Sequence, residues 1–270
     1  MLLGLSSYTY GWSIGFPGNC PEKPMDELGL LDRAGGFGLK LVQVCDNLPL
    51  QKMGRERLTA FSRRAARDDV AIEVGSRGLA VDHVVEMTGL AKEVGAKLIR
   101  FVIDGPGYHP AKAAIVSILR ECAPELGDIT LGIENHDRFQ ARILRAIIEE
   151  VGSARIGICL DTANSLGAGE GLESVVSILA PVTVNLHIKD YQITRLPHLM
   201  GFIVEGRPAG GGMLDIGWLL DQLAPFGRCQ TAVLELWTPP ELVISETVAK
   251  EEAWAFQSVH YLRPFFVAKA

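Results

Sequence analysis

The chain has 270 residues, 48% of them hydrophobic, and a formal charge of −6 at pH 7. That length and apolar content support a large buried core, while the acidic balance argues against a nucleic-acid or anionic-membrane surface. Cys20, Cys45, Cys122, Cys159 and Cys229 form no Cys-x-x-Cys pair and read as reduced thiols that pack the core of a cytoplasmic protein.

The start, "MLLGLSSYTYGW", has no basic region and too short an apolar run for a signal peptide. No stretch approaches the roughly 20 apolar residues of a membrane span. Eight short apolar runs then follow one another as buried strands: residues 2–8, 39–46, 70–76, 97–103, 130–136, 155–161, 182–188 and 231–237. Helical patterns separate them, with apolar residues three and four apart: 54–69, 80–95, 111–122, 140–152, 173–180 and 216–227. Residues 25–36 make a weaker helix because they contain three glycines. Residues 245–266 form a long final helix.

Strict strand–helix alternation implies parallel strands, and eight units imply a (β/α)8 TIM barrel occupying residues 1–270 as a single α/β domain. Its strands should end near Tyr8, Asp46, Gly75, Asp104, His136, Thr162, Lys189 and Trp237. The rival is a doubly wound open sheet, which lacks its Gly-rich phosphate loop after the first strand. The sequence leaves the oligomeric state open, a homo-oligomer included.

Four consecutive runs finish in a metal-type donor: "LGIENHDRF" in Glu134, "IGICLDTAN" in Asp161, "TVNLHIKD" in His187 and "AVLELW" in Glu235. At the C-terminal face of a barrel all four project into one mouth. Three carboxylates there repel one another unless a cation joins them. Oxygen donors with one imidazole and no thiolate favour Mg²⁺ or Mn²⁺ over Co²⁺ or Zn²⁺. The bland alternative, that each is a solvated loop residue or a cap such as Asp161 before its turn, must hold separately at four strand ends.

The same four positions resemble those of the xylose isomerase-like TIM barrels, the sugar isomerase/epimerase superfamily. The resemblance implies that Glu134, Asp161, His187 and Glu235 are metal ligands, and "HIKD" and "EGRPAGGGMLD" are similar to the family pattern. It places Arg207 of "RPAGGG" at a substrate-binding position of the ketose 3-epimerases. Those epimerases have a His where "DTAN" has Asn164. "ENHDRF", "CLDTANSLGAGEG", "VEGRPAGGG" and "LELWTPP" look more narrowly like the subgroup that contains 3-oxo-isoapionate decarboxylase.

These readings lead to a metal-dependent enzyme of carbohydrate catabolism acting on a small keto-sugar acid. A bound cation would ease any step that leaves an enediolate, and loss of CO2 is favoured. Glu134, His136, Glu235 and Lys189 are the candidate catalytic residues, with His136 as proton donor. Arg207, Asn164, Arg100 and Trp12 are candidate substrate contacts, and Arg207 with Lys189 would hold a carboxylate. Lys189 could instead pair with Asp190 or Glu205, Arg100 with Glu73, and Trp12 could simply be packed. The alternative activities are a ketose isomerase, epimerase or keto-polyol dehydratase using Glu134 and Glu235 as bases. An abasic-site endonuclease is more distant, since "HIKD" is poor in His for a zinc cluster. A non-catalytic ligand-binding barrel is the least consistent with an intact ligand set.

Overall fold

The computed structural model describes residues 1–266. Eight strands close a parallel barrel: β1 (Leu2–Ser6), β2 (Leu41–Val44), β3 (Ala71–Arg77), β4 (Leu98–Val102), β5 (Thr130–Glu134), β6 (Ile156–Asp161), β7 (Thr183–Ile188) and β10 (Thr231–Leu234). β10 pairs with both β7 and β1, so no edge is left open. The strands read as continuous apolar runs because helices cover their outer face while side chains fill the interior. β2, β4, β6 and β7 are buried at every residue.

The helices follow from amphipathic spacing and from residues that stop or start them. In α6 (Ala141–Val151), Ala141, Leu144, Ile147 and Ile148 face the barrel. Asp26 accepts the Gly29 N–H at 2.9 Å and caps α2 (Glu27–Gly36), the glycine-containing helix. Gly95 ends α4 (Val81–Val94) at a φ of 76°, which a residue with a Cβ rarely adopts. The final helix, α9, runs Ile244–Phe266.

The barrel strands end within one to three residues of the expected positions, β3 running on to Arg77 and the other seven stopping short. Tyr8, for example, lies in a 3-10 turn (Ser7–Tyr10) whose N-terminus Ser6 caps. β8 (Asp190–Arg195) and β9 (Phe202–Arg207) form an antiparallel hairpin outside the barrel. Gly206 lets that hairpin touch the chain beyond β10, since a Cβ there would strike the Trp237 carbonyl. Among the described residues no helix is long and apolar enough to cross a membrane.

Candidate active site

Glu134 and Asp161 close β5 and β6, His187 is one residue from the end of β7, and Glu235 follows β10 directly. Parallel strands in register bring these ends to one face, and Asp161 lies beside His187. All four side chains belong to buried residues. His187 Nδ1 is 3.2 Å from Glu235 Oε1 and 3.9 Å from Glu134 Oε1. Donor atoms of Asp161, His187 and Glu235 lie within 4.8 Å of one another, and those of Glu134, Cys159 and His187 form a second such group.

Each side chain is held from behind. Asp161 Oδ1 accepts the backbone N–H of Ala163 and of Asn164, both at 2.8 Å. Asn135 accepts the Asp161 N–H at 2.7 Å and ties β5 to β6. Glu235 Oε1 accepts the Ser6 hydroxyl at 2.9 Å, and Glu134 Oε1 accepts Asn164 Nδ2 at 2.7 Å. His187 Nε2 lies 2.8 Å from Gln43 Oε1.

Two cations balance the carboxylates. Lys189 Nζ is 2.8 Å from Asp161 Oδ2 and 3.1 Å from Glu235 Oε2. Arg100 Nε is 2.5 Å from Glu134 Oε2, although not aligned for a hydrogen bond, and its Nη1 is 3.1 Å from Asp46 Oδ1. Burial alone would strip the proton from Lys189, but Asp161, Glu235 and Glu134 outweigh it and hold the ammonium above its ordinary range. Burial would likewise neutralise Glu235, yet His187 and Lys189 keep its carboxylate well below the usual range. His187 is raised because Glu235 and Glu134 overcome its own burial.

The donor set fits a divalent ion. His187 Nδ1 is buried, makes no aligned hydrogen bond and faces Glu235 Oε1 at 3.2 Å and Glu134 Oε1 at 3.9 Å, which leaves it turned toward the position a cation would take among the carboxylates. Three hard oxygen ligands and one imidazole complete that chemistry. Cys159 was missed as a neighbour of this cluster. Burial, reinforced by Glu134, pushes its thiol far above the ordinary value, so it stays protonated and donates to Asn185 Oδ1 at 3.1 Å.

A cavity of about 570 Å³ opens above Glu235 and Lys189. Tyr8, Trp12, Phe16, Trp237 and Pro239 wall it, with Glu205 and Gly206 from β9. Trp12 therefore reaches the cavity, its Nε1 donating to the Thr238 carbonyl at 2.9 Å. Glu251 of α9 holds that wall from outside by accepting the N–H groups of Trp12 (2.8 Å) and Ser13 (2.9 Å).

Other expected residues stand elsewhere. Arg207 turns back to Glu205, 3.2 Å away, and to the Gly206 carbonyl, so it is not part of the cavity wall. His136 is half-buried and bonds its chain neighbour Asp137 at 2.7 Å. Arg100 pairs with Glu134 and Asp46 rather than Glu73, and is too buried to meet solvent. Neither Asp190 nor Glu205 takes Lys189. Asp190 instead accepts the backbone N–H of Gly210, Gly212 and Leu214, which shapes the glycine-rich loop. Asp46, Tyr8, Ser6 and Gln43 were not foreseen.

The chain matches the Xylose isomerase-like TIM barrel family model over residues 33–264. It belongs to that family. It is 30% identical over 264 residues to the 3-oxo-isoapionate decarboxylase of Pectobacterium atrosepticum, covering 97% of this chain and 95% of that protein. Among solved structures it resembles the D-psicose 3-epimerase of Clostridium cellulolyticum H10, crystallised with D-tagatose (TM-score 0.73, 13% identity, 97% of each chain). A Xylose isomerase-like TIM barrel protein of Mycobacterium smegmatis in complex with magnesium is comparably similar (TM-score 0.70, 14% identity, 97% of each chain). At those identities the two structures share the family's fold and speak to nothing finer.

Proposed function

We propose that this member of the family is a carboxy-lyase that releases CO2 from a small β-keto sugar acid and depends on a divalent ion, Mg²⁺ or Mn²⁺. The observation that carries the reading is the buried gathering of Glu134, Asp161 and Glu235 around His187, whose Nδ1 lies 3.2 Å from Glu235 and 3.9 Å from Glu134. The extended similarity to a decarboxylase supports the reaction class.

Glu134, Asp161, His187 and Glu235 would hold the ion. When bound, it would supply positive charge to the substrate ketone as the enediolate develops. The side chains around it hold and orient. Lys189 is the cation that lines the cavity, and its ammonium would face the substrate and return a proton to the carbanion carbon. Lys189 takes this role rather than His136, whose Nδ1 is engaged by Asp137. Trp12 and Trp237 would close the cavity over the sugar carbons and limit water. Asn164 steadies Glu134 and carries no titratable group, so it would not exchange a proton with the substrate.

The test is to supply β-keto sugar acids and neutral ketoses with Mg²⁺ or Mn²⁺, then follow CO2 and C–H exchange with deuterated solvent. CO2 from a keto acid is expected. Exchange and epimer formation on neutral ketoses, with no CO2 from any keto acid, would instead assign an epimerase using Glu134 and Glu235 as bases.

A further inference from the structure

Beneath the candidate metal ligands, inside the barrel, lies a second polar layer. It consists of Gln43 on β2, Glu73 on β3 and Asn185 on β7, all buried. A barrel interior normally receives branched apolar side chains, and buried polar groups persist there only when bonded. The orientations of Asn185 and Gln43 can be read from the Thr231 carbonyl, which is fixed as an acceptor.

Asn185 Nδ2 faces Thr231, 2.8 Å from Oγ1 and 3.5 Å from the carbonyl, which can only accept. Asn185 Oδ1 therefore takes the Cys159 thiol at 3.1 Å and faces Gln43. The Gln43 atom 3.1 Å from that oxygen must be its amide nitrogen, which also donates to Glu73 Oε2 at 2.9 Å. Gln43 Oε1 is left against His187 Nε2 at 2.8 Å. Flipping Gln43 would set its oxygen against another oxygen, Asn185 Oδ1.

We propose that Gln43, locked by Asn185 and Glu73, is a positioning residue that keeps a proton on His187 Nε2 and so aims Nδ1 at Glu134 and Glu235. This inference rests on the reading of His187 as a metal ligand. A carbonyl-type acceptor behind a ligating imidazole fixes its ring and raises its basicity, and its loss weakens metal binding about 10–100-fold.

The test uses the full chain labelled with ¹⁵N-histidine, with His187 assigned by its absence in His187→Gln. In the metal-free protein His187 Nε2 should carry a slowly exchanging proton. An unprotonated Nε2 with the proton on Nδ1 alone overturns the proposal. Gln43→Met removes the acceptor and should weaken Mn²⁺ binding, measured calorimetrically, by about 10–100-fold. Wild-type affinity in Gln43→Met also overturns the proposal. If Gln43→Met does not fold, the wild-type spectrum still decides. If the wild-type protein takes up no Mn²⁺, the proposed function fails, while the Nε2 signal continues to report on Gln43.

Discussion

Lys189 Nζ sits 2.8 Å from Asp161 Oδ2, and so places an ammonium within the group of carboxylates that would bind a metal. Without that charge Asp161 and Glu235 would share a buried site with fewer cations to offset them. Lys189→Met should therefore destabilise the metal-free protein by about 3 kcal/mol, the range found when one partner of a buried pair is removed. Saturating Mn²⁺ should recover part of that loss by binding the folded state. Thermal melts with and without Mn²⁺ check this, and an equal loss in both would contradict it.

Glu251 makes stability depend on pH. Burial, only partly offset by the bonds from Ser13 and Trp12, pushes its carboxyl up from 4.5 to about 7. The folded state therefore holds this proton where the unfolded chain releases it. Its contribution is full below about pH 4.5, falls as pH rises, and is gone above about pH 7. Wild-type stability relative to Glu251→Gln should drop between pH 5 and pH 8 by an amount on the order of 2–3 kcal/mol. Urea unfolding of both proteins at the two pH values measures it, and a constant difference would refute the assignment.

Asn164 bonds Glu134 with its amide N–H, so its loss should loosen a ligand rather than remove an acid or base. Asn164→Ala should weaken Mn²⁺ binding by about tenfold or more and, at saturating Mn²⁺, leave the rate of CO2 release and the solvent deuterium found in the product unchanged. Calorimetry and mass spectrometry of the product provide the two readouts. Abolished turnover with unaltered Mn²⁺ affinity would mean Asn164 acts on the substrate directly.

The four strand-end residues are legible because each is the first ionisable group after a buried apolar run, and a barrel sends such ends to one face. Asp46 carries the same mark after β2 and enters the site through Arg100. Gln43 and Asn185 carry no such mark, since they lie inside their strands among apolar neighbours. Only the two-residue spacing of Asn185 from His187 hints that both face the interior. The directions of His136 and Arg207 escape sequence reading because each is settled by a carboxylate close in the chain, Asp137 and Glu205. The β8–β9 hairpin is hidden for another reason. Phe202, Ile203 and Val204 are exposed, so no buried alternation sets them apart from a loop.

The central claim is that Glu134, Asp161, His187 and Glu235 together hold one divalent ion. Asp161→Ala tests it most directly, with metal content measured after chelation and reloading alongside circular dichroism of the barrel. Wild-type protein should take up one equivalent of Mn²⁺, and the variant should take up none and release no CO2 while remaining folded. A folded Asp161→Ala protein that retains stoichiometric metal would contradict the account.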